Sequence, residues 1–252
     1  MTGDEGSGTR PPKGGRSTEP VIVITDSSID DHVVMYHEPK SLQAEQYRAF
    51  RTNLLAMHQG RGSRALAITS AMKGEGKSLS AVNIAICVAE APGTRVCLVD
   101  TDFRAPRIAG LLGVGPGPGL SDLLLDELGL NAVLAETKIR DLAVIRAGRE
   151  PRNPSELLGS DRIRDLLATL KTDFTHIICD TPPVNPYTDA AVLGAYMDGV
   201  LLVIRLGKTQ REQAERAKHV LERAGVNLLG TFLTDVMPSD KDEQDYYRDL
   251  VE

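Results

Sequence analysis

Ala71-Met72-Lys73-Gly74-Glu75-Gly76-Lys77-Ser78 is the stretch on which the fold turns. Ahead of it lies the apolar run Arg64 to Thr69, read as a buried strand, and behind it a helix is expected from Lys77 to about Glu90. Strand, glycine-rich bend and helix in that order is the setting in which a phosphate loop has meaning. The spacing fits, with Ala71 standing where the first glycine usually is. Gly74 and Gly76 let the backbone curl so that successive N–H groups point inward at phosphate oxygens. The helix adds the positive end of its dipole. Lys77 would neutralise the β and γ phosphates, and the Ser78 hydroxyl would ligate Mg²⁺. Ala71 through Leu79 is therefore the expected nucleotide-binding segment, with ATP and magnesium as the expected ligands. Lys73 is expected to face solvent. Some dimeric ATPases carry a second lysine five residues before the invariant one, and here that position holds Met72.

Working outward, short apolar runs alternate with helical segments. Val96 to Asp100, Leu142 to Arg146, Thr175 to Asp180, Val200 to Arg205 and Asn227 to Leu233 read as strands without polar alternation. Unbroken apolar strands separated by helices predict a mostly parallel sheet covered on both faces. Helices are predicted over Ser41 to Met57, Asp161 to Lys171 and Lys208 to Ala224. Ser41 can cap the first of these, Leu42, Phe50, Leu54 and Leu55 give it an apolar stripe, and Gly60 and Gly62 end it. Asn153-Pro154 starts another, with proline where a missing N–H costs nothing. Residues 1–20 read as a disordered leader, Val21 to Thr25 as a short β-like run, residues 21–237 as one domain, and residues 238–252 as a flexible acidic tail.

Composition bounds the function. The 252 residues are 41% hydrophobic and carry a net charge of −6, which supports a real core but not a general electrostatic grip on nucleic acid. The three cysteines, Cys87, Cys97 and Cys179, sit in apolar runs and read as buried small hydrophobes. His176 and Cys179 would face opposite sides of one strand, so they form no metal pair. No apolar run is long enough to cross a bilayer, and membrane association would come through a partner.

Two further segments end strands with carboxylates: Asp100-Thr101-Asp102-Phe103-Arg104 and Asp180-Thr181-Pro182-Pro183. In open α/β sheets ligands bind outside the carboxyl ends of the strands. Acidic groups there face phosphates and are tolerated with a cation between them. Asp102 and Asp180, with Ser78, are the expected magnesium-holding set, and Asp100 the expected proton acceptor.

The three segments together resemble the Walker-type motifs of the bacterial tyrosine kinases, cytoplasmic partners of membrane proteins that set chain length in capsular and exopolysaccharide export. The resemblance runs from about Ser41 to Val236 and includes Pro151, Asn153, Pro154, Glu156, Leu157 and Leu158. It implies a single doubly wound α/β domain of the MinD/ParA-like phosphate-loop type. It also implies autophosphorylation on tyrosine, with Lys77, Asp100, Asp102 and Arg104 catalytic. Glu45-x-x-Arg48-x-x-Arg51, on the helix spanning 41–58, is similar to that family's oligomerisation motif. Further implications are a ring of identical subunits, a cytoplasmic segment of a membrane chain-length determinant as activator, and a tyrosine phosphatase as counterpart. The location implied is the inner face of the cell membrane. The implied acceptors are Tyr246 and Tyr247, a shorter cluster than the family often has. Tyr36, Tyr47, Tyr187 and Tyr196 read instead as packing residues. Thr234 stands where many members place Asn near the base. A switch ATPase that phosphorylates nothing shares the same loop and aspartates, and a nucleotide-dependent ligase is a more remote reading.

Overall fold

The computed structural model describes residues 29–56, 62–125 and 128–236. Its strands are β1 (Arg64–Ser70), β2 (Val96–Asp100), β3 (Leu134–Glu136), β4 (Leu142–Ile145), β5 (His176–Asp180), β6 (Gly199–Arg205) and β7 (Leu228–Thr234). Its helices are α1 (Val34–His37), α2 (Leu42–Ala56), α3 (Lys77–Ala89), α4 (Ile108–Leu111), α5 (Leu120–Leu124), α6 (Leu130–Val133), α7 (Pro154–Leu158), α8 (Asp161–Asp173), α9 (Asp189–Gly194) and α10 (Arg211–Arg223). The leader, the Val21 to Thr25 run, Gly60 and the tail with Tyr246 and Tyr247 lie outside the described residues.

The strands form one sheet in the order β3-β4-β2-β5-β1-β6-β7. Every neighbouring pair is parallel except β3 with β4. Alternation along each central strand divides the apolar side chains between two cores. Ala65, Ala67, Ile177 and Cys179 face the core closed by α8, α9 and α10. Leu66, Ile68, Leu98 and Ile178 face the core closed by α1, α2 and α3. A sheet buried on both faces needs apolar residues at both parities, which is why the strands lack polar alternation. All three cysteines are free and buried.

Several boundaries differ from the sequence reading. The strand expected at Leu142 to Arg146 ends at Ile145, beyond which the Arg146 carbonyl accepts from the Leu120 N–H at 2.7 Å and its guanidinium donates to the Pro118 carbonyl at 3.2 Å. The last amphipathic helix starts at Arg211 rather than Lys208; Lys208 and Thr209 form a turn after β6 instead. The antiparallel strand β3 and the short helices α1, α4, α5, α6 and α9 were not anticipated. Ser41 does cap α2: its hydroxyl oxygen accepts from the Ala44 N–H at 3.2 Å. Among the described residues no helix is long and apolar enough to cross a membrane.

Candidate active site

The site forms where three strand ends meet. β5 lies between β1 and β2, and its register sets Asp180 beside Ile68 on one side and Asp100 on the other. The chain leaving β1 becomes the phosphate loop; the chain leaving β2 carries Asp102 and Arg104. Three segments far apart in sequence thus converge because their strands are neighbours.

The loop has the conformation its glycines permit. Gly74 and Gly76 have φ of 82° and 89°, a left-handed region that costs glycine little. Lys77 and Ser78 open α3, where first-turn N–H groups lack intrahelical acceptors. Glu75, almost fully buried, folds its carboxylate back to accept from the Met72 N–H at 2.9 Å and the Thr209 hydroxyl at 2.6 Å. Ala71 is buried, Leu79 packs against the α3 core, and Lys73 is exposed, as expected from its position.

Lys77 is the electrostatic centre. Its Nζ lies 2.7 Å from Asp102 Oδ2, 3.0 Å from Ser78 Oγ and 3.4 Å from Asp180 Oδ1. Burial pulls the ammonium down, but the charges of Asp180, Asp102 and Asp100 outweigh it and hold Lys77 above its ordinary value. Asp102 also anchors the turn after β2, accepting from the Arg104 and Ala105 N–H groups. Burial pushes Asp180 upward against the opposing charge of Lys77. Asp100 is pushed up to about 7, by burial first and then by Asp180. Its Oδ2 accepts from the Arg107 and Ile108 N–H groups at the start of α4, and its Oδ1 from Asp102 N–H. The three aspartates and Lys77 are therefore brought together as the sequence suggested.

The donor set suits a hard divalent cation. Asp180 Oδ2 is buried without a hydrogen-bond partner, an arrangement that calls for a cation or a water. Among the described residues no three His, Cys, Asp or Glu side chains are arranged to hold a metal. Magnesium held by Asp102, Asp180 and Ser78 would therefore complete its shell with phosphate oxygens and water, as that ion prefers.

Other residues carry neighbours that the sequence did not signal. Arg104 is gripped from below by fully buried Asp189, at 3.3 Å, and lies 4.2 Å from the Tyr187 ring centroid. Ser155 of α7 donates to the same Asp189 carboxylate. Tyr187 is thus an exposed lid on Arg104 rather than a packing residue, and Tyr36 is exposed too. Tyr47, stacked on Phe232, and Tyr196, donating to Gly159 O, do pack. Thr234 points at the loop: its hydroxyl donates to the Glu75 carbonyl at 3.0 Å.

On α2, Arg48 bonds Glu45 at 2.7 Å and Glu90 at 3.1 Å, while Arg51 donates to Cys87 O and lies 3.5 Å from Glu90. Within one chain the motif pins α2 to the end of α3. Its face remains half-open to solvent.

No protein-family model matches the chain. It is 36% identical over 221 residues to the tyrosine-protein kinase YwqD of Bacillus subtilis, covering 88% of this chain and 93% of that one. It is 33% identical to the putative tyrosine-protein kinase CapB of Staphylococcus aureus, covering 84% and 92%. Among solved structures, the kinase domain of the Escherichia coli tyrosine kinase ETK superposes with a TM-score of 0.75 at 31% identity, over 83% of each chain. The septum site-determining protein MinD of Pyrococcus horikoshii, complexed with Mg-ADP, has a TM-score of 0.59 at 19% identity over 75% of this chain and 77% of that one. At that identity the likeness concerns the fold alone.

Proposed function

The chain belongs to the bacterial tyrosine-protein kinases, and on that premise we propose that it moves the γ-phosphoryl group of ATP to the hydroxyls of Tyr246 and Tyr247 on a neighbouring subunit. The observation that carries the site assignment is Lys77 Nζ set between Asp102 and Asp180 at the mouth of the phosphate loop. Lys77 and the loop N–H groups would bind the phosphates and stabilise charge on the transferring group. Asp102, Asp180 and Ser78 would hold magnesium, which when bound shields phosphate charge. Asp100 would accept the proton that leaves the tyrosine hydroxyl as the new P–O bond forms. Arg104, preset by Asp189, would face the same centre. From the resemblance of the motifs we further propose that it serves capsular or exopolysaccharide control, beside a membrane chain-length protein whose cytoplasmic segment activates it.

Incubation with Mg·ATP should give a phosphotyrosine signal on blotting. Tyr246→Phe/Tyr247→Phe should lose nearly all of it while ATP turnover persists. Phosphate release without phosphotyrosine, even with partner peptide present, would instead make the chain a switch ATPase.

Transfer between subunits needs assembly, which we assign to Arg48 and Arg51. Their planar guanidinium groups can exchange an own-chain carboxylate for a neighbour's. Arg48→Ala/Arg51→Ala should sediment as monomer and transfer poorly. Glu90→Gln keeps both arginines and should still assemble. Assembly unchanged in the double variant would remove the motif from this role.

A further inference from the structure

A phosphate loop works only if its N–H groups already point inward, and in this chain something outside the loop sets two of them. In a trans peptide the carbonyl and the N–H point in opposite directions. The carbonyl of Gly74 is held outward by two cationic donors, Lys208 Nζ at 3.0 Å and Arg205 Nη1 at 3.3 Å. The N–H of Glu75, in the same peptide, is therefore directed inward. The next carbonyl, that of Glu75, is held by the Thr234 hydroxyl at 3.0 Å, and this directs the Gly76 N–H inward as well. The Glu75 side chain is fixed between Met72 N–H and Thr209.

Apart from Met72 N–H, these donors come from the end of β6, the turn after it and the end of β7, 131 to 159 residues along the chain from the groups they bond. The turn is itself braced: Thr209 accepts from Arg205 N–H at 3.0 Å, and Arg205 Nε donates to Asp235 Oδ2 at 2.6 Å. Asp235 sits at φ 58°, a conformation Asp tolerates but does not prefer. It lies at the point where the chain leaves the sheet for its C-terminal segment. Nothing in the loop's own sequence would hold these two peptides. Glycine at 74 leaves that peptide free to turn over, since its φ space is broad on both sides.

Given nucleotide binding at this loop as proposed above, we infer that Arg205, Lys208, Thr209 and Thr234 form a clamp of positioning residues that presets the loop for polyphosphate. Through Asp235 the clamp ties the loop to the root of the C-terminal segment. Thr234 on this account serves the phosphates and not the base. The clamp raises affinity by removing an ordering cost that binding would otherwise bear.

The test uses the charge-neutral variant Thr209→Val/Thr234→Val, so that no long-range attraction for the anion is altered. The two hydrogen bonds to the loop, at about 1 kcal/mol each, correspond to roughly thirtyfold in affinity. Calorimetry with Mg·ADP and Mg·ATP should show that loss, whereas adenosine, followed by NMR titration, should bind within about twofold of the parent. In nucleotide-free protein the ¹⁵N order parameters of Glu75 and Gly76 should fall from about 0.85 toward 0.6. Lys208→Leu, a change at an exposed side chain, should loosen Glu75 in the same way and guards against a fold defect in the double variant. Unchanged ADP affinity with unchanged order parameters overturns the inference. So does an equal loss for adenosine, which would return Thr234 to base recognition. A parent protein that binds no nucleotide takes the functional reading down, and this inference with it.

Discussion

Lys77→Met should reduce phosphotyrosine formation by at least about a thousandfold, because it removes the ammonium proposed to offset charge on the transferring group. It should also weaken the fold. Lys77 is buried between Asp102 and Asp180, and Asp100 lies beside them in register. Removing one partner from a buried charge cluster typically costs about 3–5 kcal/mol, because the remaining charge is left uncompensated. Here the loss has a ceiling. Asp180, whose acidity burial already weakens, can take up a proton once the lysine is gone. The deficit should therefore be larger at pH 8 than at pH 5, since proton uptake relieves the cluster only where protons are plentiful. Urea melts in EDTA at the two pH values measure it, and transfer assays run well below the variant's melting point separate lost chemistry from lost fold. Full transfer by Lys77→Met would put the reacting centre somewhere else.

What the sequence revealed, it revealed through local rules. Ile177-Ile178-Cys179-Asp180 and Val96-Cys97-Leu98-Val99-Asp100 are readable as strands because both faces of each are buried, and each ends on the aspartate that the site uses. The register between them was not written in either run, yet it is what brings Asp100 and Asp180 side by side. β3 is three residues long and stays below any periodic signal. The stretch from Gly113 to Gly119 offered glycine and proline where α4 and α5 are separated by a turn, and Arg146 braces that turn through the Pro118 and Gly115 carbonyls. The helix expected from Lys208 starts late because Lys208 and Thr209 bond the phosphate loop, a contact spanning 134 residues that no window along the chain could see. Asp189 carried no signal in its own stretch and is the buried partner of Arg104. Spacing within a motif was legible; the side chains that hold the motif in place were not.

Asp100→Asn should move activity and stability in opposite directions. As the proposed proton acceptor, Asp100 would contribute about 10²–10⁴ in rate, and an amide cannot replace it. In the metal-free fold the same carboxylate is a liability. Burial, and then Asp180, push it from 3.8 up to about 7, so the folded chain holds a proton there that the unfolded chain has released. Between those values stability falls as pH rises, because ionisation is easier in the unfolded state. The penalty is absent below about pH 4 and complete above about pH 7; a shift near three units corresponds to about 4 kcal/mol at most. Asparagine avoids the charge and can keep its carbonyl oxygen on the Arg107 and Ile108 N–H groups. It forfeits the bond from Asp102 N–H, about 1 kcal/mol. The variant should accordingly be more stable than the parent by a few kcal/mol at pH 8, and slightly less stable at pH 4, in EDTA-treated protein. A variant that is less stable at pH 8 would mean the carboxylate is better solvated than its burial implies. A variant that gains stability yet still phosphorylates tyrosine would transfer the proton-accepting role to Asp102 or Asp180, the two carboxylates in contact with Lys77.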